Sequence, residues 1–333
     1  MMMRTVCLAA ALLPSCALLA RAETPVSRPA NLPVYDHIVI VVEENKDYDE
    51  IIGNKASPFI NRLAQEGARL TRMYGEEHNS EGNYFWLFSG DDQNVRYEDA
   101  IPAEPLTAGS LGEQLIKGGK SFKGYSESLP EIGSTVKLVP DNCGYATCVY
   151  GRKHVPWISF ANIPDTADAA TSSNLRWSDF PSDYSTLPTV AFVIPNLLND
   201  MHNGTVKQSV PKGDKWLMDN LGKYYEWAKT HNSLLIVTWD ESNDVREFSG
   251  LTDPRSEPAK GQLYRDIENR IPTVFAGAHV KQDYAEPKRS THVNILRTIE
   301  SMYGLAPLGA QQSNAAQAGI DESPIAGVFQ PMK

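Results

Sequence analysis

Residues 37–45 read His37-Ile38-Val39-Ile40-Val41-Val42-Glu43-Glu44-Asn45. The five consecutive aliphatic residues are mostly β-branched, which is typical of a strand buried on both faces of a parallel sheet. The run ends abruptly at two carboxylates and a carboxamide. Because open α/β sheets bind ligands beyond the carboxyl ends of their strands, these polar residues are candidate ligands. The alternative is that they only begin a solvated loop.

A second stretch repeats this pattern: Leu234-Leu235-Ile236-Val237-Thr238-Trp239-Asp240-Glu241. Two hydrophobic strands that each end in hard oxygen donors predict one divalent cation at the edge of the sheet. Side chains alternate along a strand, so Glu43 and Glu44 point in opposite directions. The strand pattern leaves open which of the two is the ligand.

The first residues predict an exported protein. A basic start (residues 1–4) precedes an apolar run (residues 6–19) and the cleavage signal Ala20-Arg21-Ala22. We therefore expect a signal peptide over residues 1–22, a mature chain from Glu23, and a periplasmic or secreted location. The apolar run is shorter than a typical transmembrane helix, and no stable membrane insertion is expected. A lipoprotein site at Cys16 is the alternative.

The mature chain keeps two cysteines, Cys143 and Cys148, and an exported chain with this spacing favours a disulfide between them. Loss of Arg4 and Arg21 leaves 29 basic against 41 acidic residues, a net charge of −12. This charge argues against a protein that binds the backbone of nucleic acids. It does not exclude an anionic substrate, because a bound divalent cation inverts the local field.

Alternating strands and helices predict an α/β fold with a mostly parallel sheet, in one domain over residues 23–333. Ser57 and Pro58 are typical of a helix start, with Gly67 as its stop. Further helices are expected over residues 216–230 and 293–303, the second closed by Gly304. The segment 133–174 is rich in Pro, Gly and aromatic residues and is interpreted as a lid over the sheet edge.

Ser80 is the best candidate nucleophile, in the loop His78-Asn79-Ser80-Glu81-Gly82-Asn83-Tyr84. A serine hydroxyl needs a base or a metal to become reactive at neutral pH. The loop lacks Gly-x-Ser-x-Gly, which disfavours a serine esterase and favours activation by the cation. The alternative is that Ser80 caps a helix that begins at Asn83.

Several motifs occur in an order that resembles the phosphoesterase family, which contains bacterial and fungal acid phosphatases and phosphatidylcholine-type phospholipases C. They are Glu-Glu-Asn at residues 43–45, Ser-Pro-Phe-Ile-Asn at 57–61, His-Asn-Ser-Glu-Gly-Asn-Tyr at 78–84, Leu-Phe-Ser-Gly at 87–90, Ile-Pro-Asn at 194–196, Asn-Asp-Met-His at 199–202, Thr-Trp-Asp-Glu at 238–241 and Thr-His at 291–292. The resemblance implies a three-layer sandwich with a mostly parallel central sheet, similar to alkaline phosphatase and the sulfatases.

The resemblance also implies one divalent metal. It is held by the Glu-Asn pair after the first strand, by the hydroxyl of the nucleophile and by two adjacent acids after a late strand. The matching residues here are Glu44, Asn45, Ser80, Asp240 and Glu241. Glu241 departs from the pattern, since some members have a second aspartate there. Ca, Mg, Mn and Zn are all compatible with these donors.

In the mechanism that follows, Ser80 attacks phosphorus in line and forms a phosphoserine that water hydrolyses. Candidates to bind the phosphoryl oxygens or protonate the leaving group are His154, His202 and His292, although a lone histidine is more often structural. Asn83, Lys123 and Asp200 are candidate substrate-binding residues, and Asn83 is equally a helix cap.

The sequence thus predicts an exported, metal-dependent acid phosphatase that acts on phosphorylated small molecules. A phospholipase C is the runner-up, with Trp157, Phe160 and Trp177 as a candidate apolar rim for lipid. The favoured alternative is that these three residues form a packed core of the lid. A catalytically silent ligand-binding relative is the third hypothesis. Nothing in the sequence specifies an oligomeric state.

Overall fold

The computed structural model describes residues 32–78, 80–95, 101–144, 146–243, 269–309 and 321–331. The expected signal peptide lies outside these residues. Among the described residues, no helix combines the length and the apolarity needed to cross a bilayer.

Twelve strands occur in the described part of the chain. They are β1 (His37–Glu43), β2 (Ala68–Leu70), β3 (Met73–Tyr74), β4 (Phe122–Ser126), β5 (Leu138–Val139), β6 (Tyr150–Gly151), β7 (Asn174–Arg176), β8 (Val190–Ile194), β9 (Ser233–Trp239), β10 (Thr273–Gly277), β11 (Tyr284–Glu286) and β12 (Ser290–Thr291). Eight of them form one sheet in the order β11-β2-β10-β9-β1-β8-β4-β7. Only β10 runs antiparallel to its neighbours in this sheet, so the predicted mostly parallel sheet is confirmed.

The helices form two packed groups. They are α1 (Tyr48–Ile51), α2 (Pro58–Glu66), α3 (Ser80–Ser89), α4 (Leu111–Lys117), α5 (Val206–Ala228) and α6 (His292–Tyr303). Helix α2 packs against α5, and α3 packs against α6 and α4. Strands β1, β8 and β9 lie at the centre with almost every residue buried, because both faces of a parallel sheet are covered by helices. The result is the expected three-layer sandwich.

Two helix starts differ from the sequence prediction. Helix α5 begins at Val206 rather than at Trp216, because Thr205 and Gln208 form a capping box ahead of a polar first turn that has no apolar periodicity. Helix α3 begins at Ser80 rather than at Asn83. The start at Pro58 is as predicted, and Gly304 ends α6 with a left-handed φ of 69°.

Residues 154–160 and 172–174 of the segment 133–174 are largely buried, whereas residues 164–171 are exposed. Strands β5 and β6 form a small antiparallel pair, and a disulfide joins Cys143 to Cys148 between them, with 5.2 Å between the Cα atoms. Trp157 is fully buried in the core, where its Nε1 donates a hydrogen bond to Asn174 Oδ1 at 3.1 Å. Phe160 is also buried. These two side chains therefore do not form the exposed apolar rim that the phospholipase hypothesis required.

Candidate active site

Strands β1 and β9 are paired in register from His37 to Glu43, so the residues that follow them meet at one edge of the sheet. Asn45 adopts a left-handed φ of 45°, a conformation that asparagine tolerates better than most residues. This turn lets Asn45 N donate to Asp240 Oδ1 at 3.0 Å and Asn45 Nδ2 donate to Glu241 Oε1 at 2.9 Å. The two strand ends are thus joined directly.

Ser80 is the first residue of helix α3 and is buried. Its Oγ lies 3.2 Å from Glu44 Oε2 and 3.4 Å from Glu241 Oε1. A helix N-terminus favours negative charge, because its first N–H groups have no partners within the helix. The structure therefore brings together all five residues that the family motifs identify, and it is Glu44, not Glu43, that contacts Ser80.

Two oxygens in this cluster are buried without a hydrogen bond to any described residue: Asn45 Oδ1 and Asp240 Oδ2. Buried polar atoms almost always have a partner, and an unsatisfied one is costly. Both are hard donors of the kind that divalent cations bind. The cluster of Glu44, Asn45, Ser80, Asp240 and Glu241 therefore fits the expected cation.

Electrostatics lead to the same conclusion. Burial, reinforced by Asp240, raises the pKa of Glu44 well above its usual value. Burial and the neighbouring Glu241 raise the pKa of Asp240 to about 7. Several carboxylates that face one another away from water cannot all ionise unless a positive charge compensates them. A divalent cation would supply that charge and lower these pKa values.

A second set of possible metal donors adjoins the first. Glu44, His154 and Asp200 each offer one ligand atom, and the three atoms lie within 4.8 Å of one another. Asp200 Oδ1 accepts a hydrogen bond from His202 N at 2.8 Å, whereas Asp200 Oδ2 and His154 Nε2 have no hydrogen-bond partner among the described residues. The sequence predicts a role for these two residues at the substrate, so the group of possible metal donors is larger than predicted.

His154 and His202 lie near each other, with 6.0 Å between their ring centroids. The ring of His154 stacks on Tyr84 at 5.3 Å, and its Nε2 is 3.5 Å from Glu44 Oε1. His202 is only partly buried, and its Nδ1 lies 2.8 Å from Asn203 Oδ1. Burial lowers the pKa of both histidines.

His292, the third predicted histidine, does not face the cluster. Its Nδ1 lies 2.6 Å from Glu76 Oε2, and its Nε2 lies 2.8 Å from the carbonyl oxygen of Trp239. Both ring nitrogens are therefore occupied by protein oxygens. The structure contradicts the prediction that this side chain contacts substrate.

Asn83 and Lys123 are also engaged elsewhere. Asn83 Oδ1 accepts hydrogen bonds from the backbone N–H groups of Glu76 and Glu77, each at 3.0 Å, so this side chain fixes the loop before Ser80 instead of binding phosphate. Lys123 Nζ donates to the carbonyl oxygens of Ala169 at 3.1 Å and Ser172. Neither side chain supports the predicted role in substrate binding.

Three residues that contact the cluster were missed in the sequence. Tyr84 donates from its hydroxyl to Glu44 Oε1, and His78 Nδ1 lies 2.9 Å from Glu241 Oε2. Lys46 Nζ donates to the carbonyl oxygens of Asn45 at 2.8 Å and Met201 at 2.9 Å. His78 and Tyr84 belong to the motif around Ser80, so that motif was the available signal.

Solved structures share this architecture. A protein in the alkaline phosphatase superfamily from Vibrio parahaemolyticus matches with a TM-score of 0.53 and 14% identity, over 87% of this chain and 72% of that chain. A putative sulfatase from Bacteroides thetaiotaomicron matches with a TM-score of 0.52 and 12% identity, over 86% of this chain and 75% of that chain. The fold is therefore that of the alkaline phosphatase superfamily.

The chain belongs to the Phosphoesterase family, whose model matches residues 54–306. A phosphatidylinositol-3-phosphatase from Mycobacterium tuberculosis is 41% identical over 278 residues, which cover 84% of this chain and 80% of that protein. A probable acid phosphatase from Kluyveromyces lactis is 25% identical over 287 residues, which cover 84% of this chain but 61% of the yeast protein. The chain is a phosphoric ester hydrolase of a metal-dependent family, and the buried group of Glu44, His154 and Asp200 offers suitable metal donors.

Proposed function

We propose that this protein is an exported acid phosphatase that hydrolyses phosphomonoesters through a phosphoserine on Ser80. The observation that carries the proposal is the position of Ser80 Oγ, at a helix N-terminus and 3.2 Å from the buried carboxylate of Glu44. The phosphatase names of the two relatives favour monoester over diester cleavage.

Glu44, Asn45, Ser80, Asp240 and Glu241 would hold one divalent cation. Bound there, the cation supplies positive charge that favours the serine alkoxide and the charge of the phosphoryl group. Asn45 and Asp240 each have one oxygen that is free of hydrogen bonds to the described residues and available as a ligand.

The side chains around Ser80 have separate roles in the proposed reaction. Glu44 and Glu241 are the carboxylates within reach of the Ser80 proton, at 3.2 and 3.4 Å from Oγ. After attack on phosphorus, the N–H groups at the start of α3 stabilise the developing negative charge. His154 donates to a phosphoryl oxygen, and the more exposed His202 protonates the leaving group.

An acidic pH optimum follows from the role of His202. The residue must be protonated to act as an acid, and burial lowers its pKa below the usual value for histidine. Protonated His202 is then most abundant at acidic pH, so the rate should fall as pH rises. The acid phosphatase name of the yeast relative supports the same assignment.

A second candidate substrate is a phosphomonoester on a lipid headgroup. The mycobacterial relative is named for action on a phosphatidylinositol 3-phosphate, and it is 41% identical over most of both chains. The chemistry at phosphorus is the same as for a soluble monoester. The two substrates therefore differ in access to the site and not in the catalytic residues.

Export is supported by the signal-peptide pattern of residues 1–22 and by the disulfide, since disulfides persist in oxidising compartments. The molecular mass of the protein recovered outside the cytoplasm tests both export and signal-peptide cleavage directly. A mature chain that begins at Glu23 is expected.

The decisive experiment is a pH–rate profile of the purified protein on p-nitrophenyl phosphate, with p-nitrophenyl phosphocholine and phosphatidylinositol 3-phosphate in parallel. We expect monoester turnover at acidic pH that is lost on chelation and restored by added metal. Preference for the choline diester would support a phospholipase C instead. No turnover of any substrate by metal-loaded protein would support the silent binding protein.

A further inference from the structure

His292 and Glu76 form a buried pair that the proposed mechanism does not use. His292 is 1% exposed and Glu76 is 2% exposed. The distance from His292 Nδ1 to Glu76 Oε2 is 2.6 Å, and the distance from His292 Nε2 to the Trp239 carbonyl oxygen is 2.8 Å. A carbonyl oxygen only accepts hydrogen bonds, so Nε2 must carry a proton.

The state of Glu76 then determines whether His292 is charged. Glu76 Oε1 accepts a hydrogen bond from Val293 N at 3.0 Å, in the first turn of helix α6. With Oε1 engaged by that backbone N–H, the carboxylate presents Oε2 to His292 Nδ1 as a second acceptor. His292 Nδ1 then also carries a proton. His292 is then an imidazolium ion.

The pair also connects the two halves of the catalytic cluster. Glu76 lies in the loop that leads to Ser80, and Asn83 fixes the backbone of that loop. Trp239 is the last residue of strand β9 and directly precedes Asp240. The imidazole ring of His292 therefore spans from the nucleophile loop to the strand that carries two of the metal ligands.

We propose that His292 and Glu76 are positioning residues, an imidazolium–carboxylate pair that holds Ser80 in place relative to Asp240 and Glu241. Neither residue touches a reacting atom. The proposal rests on the proposed function, in which Ser80 is the nucleophile. Partners of this kind around metal ligands typically change activity or metal affinity by about 10- to 100-fold when they are replaced.

Other charged groups near the pair determine how it titrates. Burial disfavours the imidazolium, but Glu76 opposes that effect and, with a smaller contribution from Asp240, raises the pKa of His292 above its usual value. Two further acids face Glu76: Glu77 in the same loop and Glu322 in the C-terminal segment.

The test compares Glu76→Gln with Glu77→Gln. The first substitution retains the shape and the oxygen that accepts from Val293 N, but it removes the negative charge beside His292. Glu77 is the matched control, because it is a buried acid in the same loop whose pKa burial and Asp92 raise to about 8, so that it is largely neutral at pH 7. The measurements are ¹⁵N-histidine NMR of the metal-loaded protein and kcat and KM across pH.

In the unmodified protein we expect one histidine ring with protons on both nitrogens at neutral pH. Glu76→Gln should convert that ring to the neutral form and lower kcat by about 10- to 100-fold with little change in KM. Glu77→Gln should change none of these. A neutral His292 in the unmodified protein, or a Glu76→Gln variant with normal kcat, would overturn the proposal. Absence of turnover in the unmodified protein would instead refute the proposed function, and the NMR result would still decide the charge of His292.

Discussion

Replacing Asp240 by asparagine should stabilise the metal-free protein while it weakens metal binding. Asp240 is buried, and its Oδ1 accepts a hydrogen bond from Asn45 N at 3.0 Å. An asparagine Oδ1 can keep that bond. The other oxygen, Oδ2, has no hydrogen-bond partner among the described residues, and an amide NH₂ in its place removes a negative charge from a crowded acidic cluster.

The magnitude follows from the pKa of Asp240, which burial and Glu241 raise from 3.8 to about 7. Each pKa unit corresponds to about 1.4 kcal/mol, so ionising this residue costs the folded state at most about 4 kcal/mol. Because the folded pKa is above the unfolded one, the native state binds more protons between pH 4 and 7, and stability falls as pH rises through that window. Near pH 7.5 the substitution removes this penalty.

The assay is thermal unfolding in EDTA at pH 4 and pH 7.5, repeated with saturating Mn²⁺. In EDTA at pH 7.5 we expect Asp240→Asn to raise Tm by several degrees, since about 1 kcal/mol corresponds to roughly 2–4 °C in a chain of this size. At pH 4 the gain should nearly vanish. Added Mn²⁺ should stabilise the variant much less than the unmodified protein.

The matched control is Asp219→Asn, an exposed acid on helix α5 that pairs with Lys215 at 2.7 Å. Exposed pairs of this kind contribute little, so its Tm should stay within about one degree of normal in every condition. An Asp240→Asn variant that is no more stable in EDTA, or that gains as much from Mn²⁺ as the unmodified protein does, would refute the reasoning.

Three further substitutions separate catalytic from structural roles. Ser80→Ala should lower kcat on the order of 10³-fold or more and abolish any phosphoryl adduct in the intact mass, with Tm nearly unchanged; an adduct that persists would move the nucleophile elsewhere. His154→Gln should lower kcat by about 10²-fold with a small change in Tm, and a normal kcat would make the histidine structural. Lys123→Ala should leave kcat within about twofold and cost about 1 kcal/mol of stability through its lost contacts to loop carbonyls; a large loss of kcat/KM would return the lysine to the substrate site.

The central part of this site could be predicted because its residues directly follow two strands that the sequence indicates clearly. Consecutive aliphatic residues marked β1 and β9, and parallel pairing places the residues after them at one edge. Glu44 and Asp240 were therefore expected near each other without any knowledge of loops. Ser80 was harder to place, since only the resemblance to a family connected its loop with that edge.

The residues that were placed wrongly all depend on side-chain direction. His292 is the histidine of the family-like Thr-His pair and lies beside the cluster, yet both of its nitrogens face protein oxygens. The sequence predicts a phosphate ligand or a helix cap at Asn83, but its amide contacts the backbone of the loop that precedes its own helix. Sequence spacing predicts which face of a helix or strand a residue occupies. The contacts of these side chains depend instead on where loops distant in sequence lie in the fold.

The heavily buried strands around the acidic cluster offset the cost of burying its carboxylates. Glu44, Asp200 and Asp240 are all buried, and burial raises the pKa of each, so ionising them opposes folding until a cation is bound. The central strands are buried along almost their whole length, and apolar burial of that extent offsets a local penalty of several kcal/mol. Metal binding then adds its free energy to the folded state alone. Stability in chelator should therefore depend on pH much more steeply than stability in metal, because the cation replaces protons as the partner of these carboxylates.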